Sequence, residues 1–116
     1  MIAIRQAQVV AGSTVAGNAS PETQANVAWL VWRLVVLNTN VLSLNEGSKA
    51  IEDYVIVDKR RLEPAPSGPT FEFRVPAAGP LSHEGKLFRI VWEVVVGTES
   101  GSSSKVIEYA PFKVVV

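Results

Sequence analysis

The sequence has no cysteine, and His83 is its one histidine. The lack of cysteine excludes a disulfide framework, a thiolate metal site and a cysteine nucleophile. A metal site of another kind would need several histidines or a run of spaced acidic residues, and the sequence has neither pattern. We therefore expect no metal site and no cofactor.

Neither sign of charge is in excess. Lys and Arg together number 11, and Asp and Glu together number 11. A surface that binds nucleic acid or an anionic membrane normally carries a surplus of basic residues. The balance of charge therefore argues against nucleic acid as a partner.

Long apolar runs are also missing. The most apolar segment, VAWLVWRLVVL at positions 27–37, contains Arg33 and is shorter than the roughly 20 residues that a membrane-spanning helix needs. The start MIAIRQAQVV has Arg5 where a secretory signal would have an uninterrupted apolar stretch. The sequence predicts a cytoplasmic protein with no membrane insertion.

What the sequence does contain is the pattern of β-strands. Val, Ile, Phe, Tyr, Trp and Thr cluster in short runs, and Gly, Pro, Ser and Asn separate them. Only EGSKAIEDY could form a helical turn. The composition, 47% apolar, is typical of a chain that folds around a core. We expect one domain over residues 1–116 that is all-β: an immunoglobulin-like, two-sheet antiparallel β-sandwich. Its candidate strands are residues 2–10, 25–37, 41–44, 54–62, 70–75, 86–97 and 105–116.

Side-chain alternation assigns faces to these strands. The core face of 86–97 should contain Phe88, Ile90, Trp92, Val94 and Val96, and that of 25–37 should contain Ala28, Leu30, Trp32, Leu34 and Val36. In the last strand Ile107 and Tyr109 share one parity, whereas Phe112, Val114 and Val116 share the other. A bulge or a change of sheet at Ala110 and Pro111 would turn both sets inward.

The opposite faces of the same two strands are too apolar for ordinary exposure. If the strands are neighbours, these faces form an apolar patch with a few charges, and large patches of that kind usually mark an interaction site. The alternative is that the long loop at residues 11–24 covers them. Trp and Arg are favoured anchors at interfaces. The candidate interface residues are Trp29, Val31, Arg33, Val35, Arg89, Val91, Glu93 and Val95.

No residues stand out as catalytic. A Ser–His–acid site would have to use His83, but Ser82 and Glu84 are adjacent to it, and adjacent residues of an extended chain point apart. Glu93 has Arg89 as its same-face neighbour, and we expect this pair to solvate a half-exposed sheet. The glycines of AGSTVAG precede no helix, as a phosphate-binding loop would require. The basic residues of DKRRLE are flanked by acids, as at a solvated strand end. We expect no enzyme.

Several segments match one known pattern in order and spacing. A strand ends at Val75 and Pro76, a Pro- and Ser-rich crossover follows with a turn at residues 82–85, and a long strand then has a central aromatic, Trp92. Upstream, VVAGSTVAG has the pattern Gly-x-x-Val-x-Gly. VAWLVWRLV, DYVIVDKRRLEP and APFKVVV match the middle and closing strands. Together they resemble a compact, single-domain, bacterial-type arrestin-like β-sandwich. Two departures are His83, which replaces the usual aromatic of the turn, and Ala11, which replaces an early proline.

The resemblance implies a protein-binding or scaffolding domain without a catalytic site. Nothing in the sequence matches a receptor-sensing polar core or a clathrin-binding tail, so receptor regulation is not implied. We expect an unidentified protein partner, and a homo-oligomer formed through the face of Trp29 and Val91 or through a sheet edge is a further expectation. Two alternatives remain open. One is a carbohydrate- or small-ligand-binding sandwich with Trp29 and Tyr54 as its aromatic platform, and the other is a structural subunit of a larger assembly.

Overall fold

The computed structural model describes residues 2–36 and 51–116. The candidate strand at 41–44 lies outside these residues, as does most of EGSKAIEDY, whose last residues belong to a strand. The described residues form the strands β1 (Ala3–Ile4), β2 (Gln8–Val10), β3 (Thr14–Asn18), β4 (Val27–Val36), β5 (Ile51–Arg61), β6 (Thr70–Arg74), β7 (His83–Glu84), β8 (Phe88–Ser100) and β9 (Ser103–Val115).

These strands form two packed sheets. The small sheet has the order β1-β3-β6, and the large sheet has the order β2-β9-β8-β4-β5, with β7 also paired to β8. No helix in the described part of the chain is long and apolar enough to cross a membrane. The all-β, two-sheet sandwich is confirmed. Its pairing is antiparallel except between β2 and β9, which run parallel.

The core lies between the sheets and follows the expected alternation. Ala28 and Leu30 of β4 and Trp92, Val94 and Val96 of β8 are buried, whereas Trp32, Leu34 and Ile90 of the same predicted core faces are only partly buried. Alternate residues of β6 and the end of β9 are also buried, because successive strand residues point to opposite sides of a sheet. Phe88 and Val36 depart from the prediction: both are partly exposed at strand ends, where the packed layer ends. The apolar residues with the least exposure are Val15, Ala19, Ala28, Leu30, Phe73, Val75, Trp92, Val94, Val96 and Val114.

The first predicted strand is in fact two strands on different sheets. β1 pairs with β3 in the small sheet, whereas β2 pairs with β9 in the large one. The chain changes sheet at Arg5 and Gln6, where the Arg5 N–H donates to the Ala16 carbonyl and Gln6 Oε1 accepts from the Ala16 N–H. The polar residues Arg5 and Gln6 therefore mark the point at which the chain passes from one sheet to the other.

β3 arises where the sequence suggested a loop. Gly17 lies inside this strand. A Cβ at this position would overlap the Ala3 carbonyl oxygen and lie 2.8 Å from the Phe71 ring, so only glycine fits here. A glycine inside a strand often marks such a close approach of neighbouring groups. Its role here is therefore packing between β1 and β6.

The Pro-rich crossover at residues 76–85 closes one end of the core. The Trp92 indole N–H donates to the Pro80 carbonyl at 2.8 Å, and Gly79 lies against the same ring. Ser82 is tied to β9 twice: its N–H donates to the Val114 carbonyl, and its Oγ accepts from the Val114 N–H. The crossover is thus a structural connection that satisfies a buried indole.

Candidate functional site

β4 and β8 are neighbours in the large sheet, and their register brings the eight candidate interface residues together. Those residues share the face that points away from the main core. They form four directly opposed cross-strand pairs: Trp29 with Val95, Val31 with Glu93, Arg33 with Val91, and Val35 with Arg89. The candidate patch required β4 and β8 to be neighbouring strands, and they are.

The centre of this face is not open to solvent. Trp29 is 8% exposed, Val31 4%, Val35 2% and Glu93 5%. Val27, Trp29 and Val31 form a second apolar cluster with Val95 packed against it. The face has a small core of its own, which explains why its sequence is so apolar.

Residues 11–24 do not line this face. Within that stretch, Thr14–Asn18 forms β3 of the small sheet. The lining comes instead from the flanking strands of the same sheet. Tyr54 and Ile56 of β5 stand on one side, and Val106 and Tyr109 of β9 stand on the other. Together with five of the eight candidate residues they enclose a depression of about 680 Å³, which we call the trough; the five are Trp29, Val31, Arg33, Glu93 and Val95.

The rim of the trough is apolar and exposed. Tyr54 is 63% exposed, Ile56 54%, Val106 59% and Tyr109 65%. Lys59 and Glu99 complete the lining at one end, where Lys59 Nζ lies 2.9 Å from Glu99 Oε1. The trough therefore has a buried Trp29 floor between two exposed, largely apolar walls.

Tyr109 lies opposite Val95, on the trough face of β9. The bulge of this strand is at Ile107 and not at Ala110 and Pro111, where the sequence suggested it. The register with β8 shifts between Val96 and Gly97, which leaves Ile107 as the extra residue, and it runs without interruption past Pro111. The expected bulge at Ala110 and Pro111 is therefore wrong. Ile107 and Tyr109 are both exposed rather than turned inward.

Pro111 does not interrupt the pairing of β9 with β8, because its nitrogen points away from β8. Two residues later, the Lys113 N–H donates to the Ala7 carbonyl, on the β2 side of β9, whereas the Val114 N–H donates to Ser82 on the other side. Main-chain groups alternate sides along a strand. The Pro111 nitrogen therefore faces the β2 side just beyond the paired residues of β2, where no ladder hydrogen bond is lost.

The trough floor contains one ion pair. Arg33 Nε lies 2.9 Å from Glu93 Oε1, with the Arg33 side chain 29% exposed and that of Glu93 7%. The expected pairing of Glu93 with Arg89 on a half-exposed sheet is thus wrong, since Glu93 is buried and lies diagonally across from Arg33. Arg89 is exposed and lies opposite Val35 and Glu84.

A second depression of about 650 Å³ lies where β7 sits between β8 and the end of β9, and Arg89 and Val91 line it rather than the trough. His83 borders it and stacks on Phe88, with ring centroids 4.6 Å apart. His83 is exposed, as expected for a solvated histidine. Ser82 Oγ is bonded to the Val114 main chain. Within residues 2–36 and 51–116 no three His, Asp or Glu side chains are grouped so that they could hold a metal ion.

Sequence reasoning missed Ile56, Val106 and Tyr109 as trough residues. Ile56 and Tyr54 share one parity of β5 and lie opposite Val31 and Arg33, so a comparison of faces across three strands could have found them. Val106 and Tyr109 could not have been found this way, because the bulge at Ile107 changes the parity between them.

No protein-family model matches the chain, and a search of curated proteins finds no similar sequence. Among solved structures, the chain is similar to Spo0M, a sporulation control protein from Bacillus subtilis, with a TM-score of 0.51 and 12% sequence identity. The match covers 100% of this chain and 48% of Spo0M, so this chain spans about half of that protein's length. At this identity the similarity concerns the fold alone. It agrees with the arrestin-like β-sandwich that the sequence suggested.

Proposed function

We propose that this protein is a non-catalytic protein-binding module that holds a segment of its partner in the trough. The observation that carries the proposal is the pair of exposed apolar walls, Tyr54 with Ile56 and Val106 with Tyr109, above a floor that is already packed. Exposed apolar surface of this kind usually marks a site of interaction. Tyrosine is enriched among the residues that dominate binding energy.

The shape and charge of the trough define the kind of segment that fits. Its walls stand on β5 and β9, which are three strand spacings apart, or about 14 Å, and an α-helix with its side chains is about 10–12 Å across. Both charged pairs of the lining, Arg33 with Glu93 and Lys59 with Glu99, are internally balanced. The partner segment we propose is therefore an amphipathic helix that places an apolar face in the trough and needs no net charge.

The fold comparison supports a binding role over a catalytic one. Spo0M is named as a sporulation control protein, and a control protein can act by binding alone. The floor of the trough supports the same choice, because Glu93 there is paired with Arg33 and a carboxylate engaged in this way is a poor general base. The location we propose for this module is the cytoplasm.

The trough can be tested by removing one wall. The double variant Tyr109→Ser/Val106→Ser alters only exposed side chains of β9, so it should fold normally. We expect the wild-type chain, used as bait in a lysate of its source organism, to capture a partner protein, and we expect the double variant to capture at least about tenfold less. Quantitative mass spectrometry of the captured protein measures the difference.

Leu87→Ser is the matched control, since Leu87 is also an exposed apolar residue but lies away from the trough. It should capture the partner as the wild type does. Equal capture by the double variant would show that the trough is not the binding surface. If instead the wild type binds a glycan of a broad panel and the double variant does not, the ligand of the trough is a carbohydrate and not a protein.

A further inference from the structure

β5 is the last strand of the large sheet, and no other described strand pairs with its outer edge. Three consecutive apolar side chains of this edge strand are exposed: Tyr54, Val55 and Ile56. An edge strand with exposed apolar residues is a template for pairing with another strand, and natural proteins normally protect such edges. This edge is therefore a second candidate binding surface, which adjoins the trough and shares Tyr54 and Ile56 with it.

The charges of β5 are arranged in two blocks around the apolar centre. After Ile51 the strand has the acidic residues Glu52 and Asp53, of which Asp53 is exposed, and it ends with the basic residues Lys59, Arg60 and Arg61, which follow the half-buried Asp58. When a strand pairs with its own copy in antiparallel orientation, the start of each strand meets the end of the other. Acidic and basic blocks then face each other, whereas parallel self-pairing would place like charges together, which is unfavourable.

The pairing of β5 with β4 also indicates the register. Asp53, Val55, Asp58 and Arg60 lie opposite the core-facing residues of β4, whereas Tyr54 and Lys59 lie opposite trough residues. Directly opposed residues of an antiparallel pair project from the same face. β5 has a bulge at Val57, where its register with β4 shifts. With the bulges of the two copies facing each other at Ile56 and Val57, a register with Asp53 opposite Arg60, Tyr54 opposite Lys59 and Val55 opposite Asp58 satisfies this rule on both sides of the bulge and pairs the acidic Asp53 with the basic Arg60.

Existing contacts do not compete strongly with this arrangement. Arg60 Nε lies 3.2 Å from Asp58 Oδ2 within the same strand, with the two side chains 63% and 36% exposed, and the Lys59 N–H donates to Asp58 Oδ1 at 2.8 Å. Ion pairs and hydrogen bonds that are accessible to solvent contribute little. We propose that the protein forms a two-fold symmetric homodimer by antiparallel pairing of β5 with β5 of a second copy, which would join the two large sheets into one. Symmetric pairing of this kind is the commonest form of protein oligomer.

A charge exchange tests the proposal. The wild-type chain should be a dimer by sedimentation at micromolar concentrations, and each of Asp53→Arg and Arg60→Asp should raise the dimer dissociation constant at least about tenfold. The combined variant Asp53→Arg/Arg60→Asp should restore dimerisation, because both pairs of the symmetric dimer are then reversed. Glu72→Arg, at an exposed position of the small sheet, is the control and should leave the dimer unchanged.

The register is tested by disulfide cross-linking. Because the chain has no cysteine of its own, only the introduced cysteines can react. A mixture of Val55→Cys and Asp58→Cys chains should form a disulfide-linked heterodimer under mild oxidation, and Val106→Cys chains, with the cysteine in the trough, should not cross-link. A wild-type monomer at all concentrations, a charge exchange that fails to restore the dimer, or cross-linking through residue 106 would each overturn the proposal. Efficient cross-linking of Val55→Cys chains with each other would overturn the register. Because the capture experiment changes only β9, its failure would leave this result unaffected.

Discussion

At the scale of single residues, Trp92 links the core to the crossover that closes it. Its ring is fully buried between the sheets, and its indole N–H is satisfied by the Pro80 carbonyl. A buried aromatic with a polar group stabilises the fold only if that group finds an acceptor. The crossover at residues 76–85 supplies this acceptor, the Pro80 carbonyl.

Trp92→Phe should reduce the free energy of unfolding by about 1–3 kcal/mol. The smaller ring leaves a gap in the core, and the Pro80 carbonyl loses its donor. Urea denaturation followed by far-UV circular dichroism measures the change. Tyr109→Phe, at an exposed position, should stay within about 0.5 kcal/mol of the wild type, and an equally small effect at Trp92 would contradict this account.

The ion pair of Arg33 and Glu93 should be cooperative rather than additive. Arg33→Met leaves the Glu93 carboxylate buried without its cation, so we expect a loss of about 2–4 kcal/mol, reduced by the partial exposure of Arg33. The double variant Arg33→Met/Glu93→Met should lose less than Arg33→Met alone, because no charge then remains buried. A double-mutant cycle by urea denaturation checks this, and additive losses would show that the two groups do not interact.

At the scale of elements, the hairpin of β8 and β9 determines the shape of the trough. Ser100 and Ser103 close the hairpin, and Gly101 has a φ of 60°, a left-handed conformation suited to such a turn. Beyond the turn, the register shift at Gly97 places Ile107 as the extra residue. A bulge increases the local twist of its strand, and here it also directs Val106 and Tyr109 to the same wall.

Gly97→Ala should disrupt this part of the hairpin. A Cβ at position 97 would overlap the Lys105 carbonyl oxygen and lie 3.1 Å from the Trp29 ring. Since the overlap is with main chain, we expect a loss of at least about 2 kcal/mol of unfolding free energy and a shift in the tryptophan fluorescence of the protein. Gly101→Asn is the control, because that site is open and asparagine tolerates its backbone conformation; equal effects of the two changes would contradict the packing argument.

The alternation in β4 and β8 predicted which side chains are buried because both strands are long and one face of each is wholly apolar. It could not predict that most of the other face of β4, and Glu93 on that of β8, are also buried, since that depends on how β5 and β9 flank the two strands. β3 was missed because glycine in a tight packing contact looks like glycine in a turn. The bulge at Ile107 was missed because Pro111 is the more obvious interruption, and only the hydrogen-bond directions show why it is harmless.

At the scale of the whole molecule, the large sheet carries two separate surfaces. The trough occupies its outer face, and that face is bordered by the edge of β5 with which no other described strand pairs. The two share Tyr54 and Ile56, which line the trough while belonging to the edge strand. In the proposed dimer the two troughs would lie on the same side of one continuous sheet, so that a partner with two binding segments could engage both.

The parallel pairing of β2 with β9 has a consequence for the order in which the chain acquires its structure. β2 lies near the start of this sequence, and the strand beside it is made about a hundred residues later. During synthesis, Val9 would remain without its core neighbour Val114 until β9 has left the ribosome. The large sheet is therefore completed only after translation of this region, and folds dominated by such distant pairings form slowly, on the order of milliseconds to seconds.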